Sequence, residues 1–227
     1  MKHRFFTADM KMSEIFHTNL NMAVLLPRLD MDFGFAEKTV EQCCQQHGVD
    51  CNFFLMIGNI YTFEDYLPDI QDVMKIKIED LLSFLHKSHI CYMEDCLPHI
   101  EHHLEKVLEN SDASIQKVLL QFFGEYKQEV WNHFEYEEET VFPHIRTLLE
   151  KKRSDNYSID QFEQNHSNIE EKLNDLINII IKYLPGKLQI SDKISILQDI
   201  QVLSDDFNRH ALLEDKILVP YIENLEK

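Results

Sequence analysis

Apolar residues recur at every third or fourth position through most of the chain, which is the period of an amphipathic α-helix. Only five glycines and six prolines interrupt the 227 residues, so the helices can be long. From about residue 76 onward the pattern forms four long stretches, which are Ile78–Leu108, Ser114–Lys152, Ser158–Pro185 and Ser191–Pro220. Short connections between long helices imply antiparallel neighbours. The pattern therefore predicts an all-α fold, with an up-down-up-down four-helix bundle over residues 76–227.

Residues 1 to about 70 have a different pattern, in which shorter helical segments are separated by turns. Thr7 can cap the first segment, and Pro27 interrupts the second. Gly48 can end a short third helix, and Asp50 can cap a more apolar fourth one. The mixed-charge stretch Phe63–Lys75 is typical of a linker. We therefore predict a small helical N-terminal domain, residues 1–70, ahead of the bundle.

Two His-x-x-x-Glu pairs, His133–Glu137 and His210–Glu214, lie on the long helical stretches. Residues four apart lie on one face of a helix, so each pair directs an imidazole and a carboxylate to the same point. Each pair is followed by a similar ending, Val141–Pro143 in one case and Leu218–Pro220 in the other. The repetition of both spacing and ending indicates two halves of one metal site.

A count of positions in the antiparallel hairpins places two more histidines level with these pairs, because each helical residue adds about 1.5 Å of rise. Ser111 marks the first turn, with His133 22 positions after it and His89 22 positions before it. The second turn lies between the third and fourth stretches, and the same count places His166 level with His210. The predicted metal ligands are therefore His89, His133, Glu137, His166, His210 and Glu214.

The ligand types predict which metal this set would bind. Imidazole and carboxylate without thiolate suit iron, manganese or zinc. Two carboxylates that can bridge, with two histidines for each ion, predict a pair of irons inside the bundle. The alternative first ligand is His86, which lies one turn before His89 and about 4.5 Å off level. A shifted turn would bring His86 into the site instead.

Other polar residues of the bundle have simpler interpretations. His99 and His103 share a helix face and could chelate a surface ion, but a solvated helix end also accounts for them. We expect Glu138 and Glu139 to belong to a solvated acidic face. We expect His144 to be exposed.

Charge and composition exclude several classes of partner. The formal net charge of −18 would repel nucleic-acid phosphates and anionic membrane surfaces, so we predict no nucleic-acid or membrane partner. No run approaches the roughly 20 apolar residues of a membrane span, and the N-terminus has no apolar signal core, so a cytoplasmic location is expected. Five cysteines without Cys-x-x-Cys spacing indicate reduced thiols. The oligomeric state is open, with a homodimer among the alternatives.

The sequence resembles the hemerythrin-like superfamily through Ser88-His89, His133–Pro143, Asn165-His166 and His210–Pro220. The resemblance implies a four-helix bundle that holds a non-haem di-iron centre. More specifically, the chain resembles the Repair of Iron Centres family, which is implicated in restoring iron–sulfur clusters after nitrosative or oxidative damage. Oxygen-carrying hemerythrins have a further histidine on the third helix where this chain has Glu170. The resemblance to the repair family therefore implies irons that are more open to exogenous ligands.

The resemblance to the repair family extends to the N-terminal region through Leu29–Phe33, Glu37–Val40 and Gly48–Asp50. It implies damaged iron–sulfur cluster proteins as partners, or nitric oxide and oxygen as ligands. Family members commonly carry an adjacent cysteine pair where this chain has Gly34-Phe35, and Cys43-Cys44 comes about ten residues later. The absence of the usual pair favours the alternative of an oxygen or nitric-oxide carrier or sensor. A third alternative is a structural helical protein with a zinc-filled or empty site.

Overall fold

The computed structural model describes residues 5–109, 111–150, 169–183 and 189–226. Regular structure in these ranges is helical, and their one extended pairing is an isolated antiparallel bridge between Lys11 and Thr39. The chain is an all-α helical bundle with an N-terminal helical region, as predicted. Within the same ranges, no helix is both long enough and apolar enough to cross a lipid bilayer.

Among the described residues, the N-terminal region contains a 3-10 helix, Leu20–Val24, and five α-helices, which are α1 (Met12–Thr18), α2 (Leu25–Arg28), α3 (Val40–His47), α4 (Cys51–Thr62) and α5 (Ile70–Val73). The Asp50 carboxylate accepts the Phe53 N–H at 2.9 Å and so caps α4, as its position predicts. Gly48 ends α3 with a left-handed φ of 73°. The prediction that Thr7 caps the first helix is wrong, because α1 begins at Met12 and the Thr7 hydroxyl donates to Asp9.

Within the described residues, the four long stretches correspond to longer helical runs, and three of these runs contain a π-helical segment; residues 151–152, 158–168 and 184–185 of the predicted stretches lie outside the described residues. The first run is α6 (Ile78–Ile90), a π segment at Cys91–Cys96, and α7 (Leu97–Leu108). The second is α8 (Ala113–Tyr136), a π segment at Glu137–Val141, and α9 (Phe142–Leu149). The third is α10 (Ile169–Tyr183). The fourth is α11 (Ile190–Leu213), a π segment at Glu214–Leu218, and α12 (Val219–Glu226).

Each π segment ends two residues before a proline, which is Pro98, Pro143 or Pro220. Proline has no N–H to donate to the carbonyl four residues earlier, and its ring collides with that carbonyl. In all three runs this carbonyl lies inside the π segment. Widening the turn relieves the collision, because i→i+5 bonding moves the carbonyl aside. The prolines therefore account for the positions of the π segments.

The chain folds into two compact units, Met1–Ser88 with Arg209–Lys227, and His89–Asn208. In the first unit, the side-chain amide of the buried Asn59 makes two hydrogen bonds to the backbone of Phe6. It accepts the Phe6 N–H at 2.8 Å and donates to the Phe6 carbonyl at 3.4 Å. Arg209 donates to the carbonyl of Ile60 at 3.1 Å in the same unit. The predicted domain boundary between residues 70 and 76 stays a prediction.

In the second unit, buried apolar side chains from α7, α8, α10 and α11 form one core. Three aromatic rings lie at one end of it. The Tyr92 ring packs on Phe207 with centroids 4.4 Å apart and on Phe134 at 5.7 Å. Phe134 in turn stacks on the imidazole of His89 at 4.2 Å. The end of this core therefore abuts the first predicted metal ligand.

Candidate metal centre

Glu137 opens the π segment of the second run and is almost fully buried, with 1% of its side chain exposed. Its two carboxylate oxygens face two different histidines. Oε1 lies 3.1 Å from Nε2 of His133, one turn earlier on the same run. Oε2 lies 3.1 Å from Nε2 of His89, on the first run. One carboxylate thus lies between imidazoles of two helical runs.

A second carboxylate fixes the orientation of His89. Nδ1 of His89 lies 2.8 Å from Oε1 of Glu138, and its ring is stacked on Phe134 and Phe142. A carboxylate can only accept, so we assign the imidazole proton to Nδ1. The lone pair is then on Nε2, which faces Glu137. A carboxylate behind a histidine in this way is the usual support of a metal-binding imidazole.

The second His-x-x-x-Glu pair, His210–Glu214, repeats the geometry of His133–Glu137. Nε2 of His210 lies 3.1 Å from Oε1 of Glu214, and both side chains are buried. Glu214 opens a π segment as Glu137 does. One ligand atom from each of His89, Glu137, His210 and Glu214 can be chosen so that all four lie within 4.8 Å of one another. Two imidazoles and two carboxylates thus converge on one point.

A sequence profile of the Hemerythrin HHE cation binding domain matches residues 80–222, which is more than half of the chain. The chain belongs to the hemerythrin HHE family. A search of curated proteins found no match to it. With the buried group of imidazoles and carboxylates, the match shows a metal-binding, hemerythrin-like protein.

The donor set of this hemerythrin-like protein fits a cation. Two ionised carboxylates within 4.8 Å repel each other by about 3 kcal/mol or more at an effective dielectric constant of 20. A divalent ion between them replaces that repulsion by attraction. Imidazole nitrogen with carboxylate oxygen suits first-row transition metals, and iron is the typical metal of this family.

The structure brings some of the predicted ligands together, and one of them lies outside the described residues. Four of the six lie in the convergent group, and His133 contacts the carboxylate of Glu137. His166 lies outside the described residues. His86, the alternative to His89, is exposed. The complete six-ligand set stays a prediction.

Two expectations about polar residues in the second run are wrong. Glu138 is not part of a solvated face, because its carboxylate binds His89 and only 29% of its side chain is exposed. His144 is buried rather than exposed. His144 follows the π segment Glu137–Val141, which inserts one residue and rotates the face of every residue after it, whereas Glu138 lies inside that segment. The signal in the sequence was Pro143.

Proposed function

We propose that the chain is a non-haem di-iron protein that acts in nitrosative or oxidative stress. It would give iron to damaged iron–sulfur proteins or handle nitric oxide. The observation that carries this proposal is the buried group of two carboxylates and two imidazoles, with the additional imidazole of His133 on Glu137. Glu137 lies between imidazoles of two helices, and a carboxylate in that position suits two ions better than one.

Within this proposal the chain's own residues have distinct tasks. His89, His133, Glu137, His210 and Glu214 would hold the ions, with His166 as the expected sixth ligand. Glu138 keeps the proton of His89 on Nδ1, so that Nε2 stays available. Phe134 and Phe142 cover the ring of His89 and exclude water from it. When bound, iron would supply the redox chemistry and the affinity for diatomic ligands.

Two features favour iron transfer over reversible oxygen storage. Glu170 stands where an oxygen-carrying hemerythrin has a further histidine, so fewer imidazoles would hold the metal. In addition, the N-terminal helices α1 to α5 precede the part of the chain that matches the HHE profile. A simple carrier needs only the bundle.

A second candidate function, an oxygen or nitric-oxide carrier or sensor, is favoured by the state of the N-terminal thiols. Cys43 and Cys44 are both buried. Burial raises the pKa of both thiols above their ordinary value, most strongly for Cys44. A thiol that stays protonated is a poor nucleophile and a poor metal ligand. A repair step that needs thiolates from this pair is therefore disfavoured.

Iron transfer separates the two functions. Incubated without oxygen with an iron-depleted cluster protein and sulfide, the iron-loaded chain should restore the visible absorbance of the cluster. Glu137→Leu should lose both iron and this activity, whereas Glu139→Leu, an exposed residue of the same π segment, should keep both. If an iron-free Glu137→Leu chain restored the cluster as well as wild type does, iron of the bundle could not be the agent.

A further inference from the structure

A second group of metal-ligating side chains lies between α7 and α11, and none of its residues belongs to the buried group. His99 and His103 lie one turn apart on α7, and Asp199 lies on α11. One ligand atom from each can be chosen so that the three lie within 4.8 Å of one another. Both imidazoles lie close to the same carboxylate oxygen. Oδ2 of Asp199 lies 2.6 Å from Nδ1 of His103 and 3.4 Å from Nε2 of His99.

The three side chains of this group differ in how much of their surface solvent can reach. The His99 side chain is 66% exposed, that of Asp199 29% and that of His103 19%. An ion can therefore reach the group without any opening of the bundle. The two less exposed ligands already hydrogen-bond each other, whereas the exposed His99 side chain has to be immobilised on binding. The open side leaves room for water on the ion.

We propose that His99, His103 and Asp199 form a peripheral site for a divalent first-row transition ion, with Zn²⁺ as its best-fitting occupant. Three protein ligands and one water make up the tetrahedral coordination that zinc adopts in open sites. Two ligand atoms each about 2.05 Å from one tetrahedral ion are about 3.3 Å apart, close to the 3.4 Å between His99 and Asp199. His103 must exchange its hydrogen bond to Asp199 for the ion, a movement of less than about 1 Å.

Charge also favours a cation at this place. The formal net charge of −18 attracts cations to the surface of the chain. At the group itself, one carboxylate with two neutral imidazoles leaves a net negative charge. The ion would join α7 to α11 and stabilise the bundle.

The test is a zinc titration of the full-length, iron-loaded chain, followed with a competing chromogenic indicator. Wild type should bind one zinc per chain beyond its iron, and His103→Ala should weaken that binding at least tenfold. His102→Ala is the matched control, because His102 lies on the same helix and is exposed but does not belong to the group. It should bind zinc as wild type does. Iron content should be the same in all three proteins, which shows that each is folded.

A second variant and a second measurement guard against an indirect effect of His103→Ala. Asp199→Asn keeps the shape of the ligand and removes its charge, so we expect roughly tenfold weaker zinc binding. Saturating zinc should raise the melting temperature of wild type and His102→Ala but not of His103→Ala. Zinc affinity that is unchanged in both His103→Ala and Asp199→Asn, or zinc that only displaces the iron of wild type, would overturn the proposal. In the iron-free chain, we expect zinc to enter the buried group as well. The test is then the difference in the number of zinc ions bound by wild type and by His103→Ala.

Discussion

At the scale of single residues, the most informative side chain is Glu138. It binds Nδ1 of His89 at 2.8 Å, although it is not one of the predicted ligands. Carboxylates in this position fix both the tautomer and the orientation of a metal-binding histidine, and their loss typically costs ten- to hundredfold in metal affinity. The contribution of Glu138 can therefore be measured separately from that of the ligands.

We predict that Glu138→Gln lowers the affinity for Fe²⁺ about ten- to hundredfold. The amide keeps the size of the side chain but accepts the Nδ1–H less strongly. Competition with a chromogenic iron chelator measures the change. Glu139→Gln is the control, because Glu139 lies in the same π segment and is exposed. Equal losses in the two variants would show a general effect of charge rather than a specific support of His89.

The choice between His89 and His86 is a second test at this scale. His89→Ala should reduce the iron content, because it removes an imidazole whose Nε2 faces Glu137. It should also lower the melting temperature, since a ring stacked on Phe134 and Phe142 leaves a cavity when it is removed. His86→Ala should leave both quantities near wild type, because His86 is exposed. Elemental analysis and thermal unfolding decide, and the reverse pattern would make His86 the ligand.

At the scale of helices and turns, the hydrophobic period predicted where the long helical runs lie in the described part of the chain, but not the π segments within them. Caps depend on a few local residues, and the caps at Gly48 and Asp50 were predicted correctly, whereas the cap at Thr7 was not. A π segment changes the face of all residues after it, and a regular period of 3.6 carried through Pro143 misplaces them. The pairs His133–Glu137 and His210–Glu214 escape this error, because each lies before or at the start of its π segment.

The prolines make the π segments testable. Pro143→Ala restores an N–H that can bond the carbonyl of Glu139, so the turn can tighten and the carboxylates of Glu137 and Glu138 move off their partners. We expect a lower iron affinity with little loss of helix content. Pro98→Ala is the comparison, because the π segment before it, Cys91–Cys96, contains no predicted ligand. Chelator competition and circular dichroism measure the two effects. If Pro98→Ala lowered the affinity as much as Pro143→Ala does, the π turn at Glu137 would have no special role.

At the scale of the whole molecule, the buried thiols link stability to pH. Burial raises the pKa of Cys44 above the ordinary value of 9.0, so the folded chain keeps a proton that the unfolded chain loses. The contribution of Cys44 to the free energy of unfolding is therefore fully present below about pH 9 and is lost as the pH rises, by up to about 1.4 kcal/mol for each pH unit. We predict that Cys44→Ala unfolds with a weaker dependence on pH between 8 and 10 than wild type. Urea denaturation at a series of pH values measures this, and identical slopes would contradict it.

The all-α fold followed from the sequence because periodicity is a property of whole helices and tolerates local errors. Much of the candidate site followed from helix geometry as well. Residues equally far from the turn of an antiparallel hairpin lie side by side, so only the positions of the turns are needed to find them. The count gave His89, which lies beside Glu137 as expected of a neighbour across the first hairpin. Contacts such as that of Glu138 with His89 could not follow in the same way, because they depend on the exact rotation of each helix. Their prediction requires the π segments to be known.

The metal content of the whole chain is the final prediction. Glu137 and Glu214 each lie 3.1 Å from a histidine Nε2, and under the proposed function these two carboxylates would bridge two ions. Anaerobic loading should therefore give two irons per chain, with near-ultraviolet absorption once the iron is oxidised. Because two buried carboxylates repel each other without a cation, removal of the iron by a chelator should lower the melting temperature by several degrees, and reloading should restore it. One tightly bound zinc and no iron after the same loading would contradict the di-iron proposal. It would leave a zinc-stabilised helical protein as the better description.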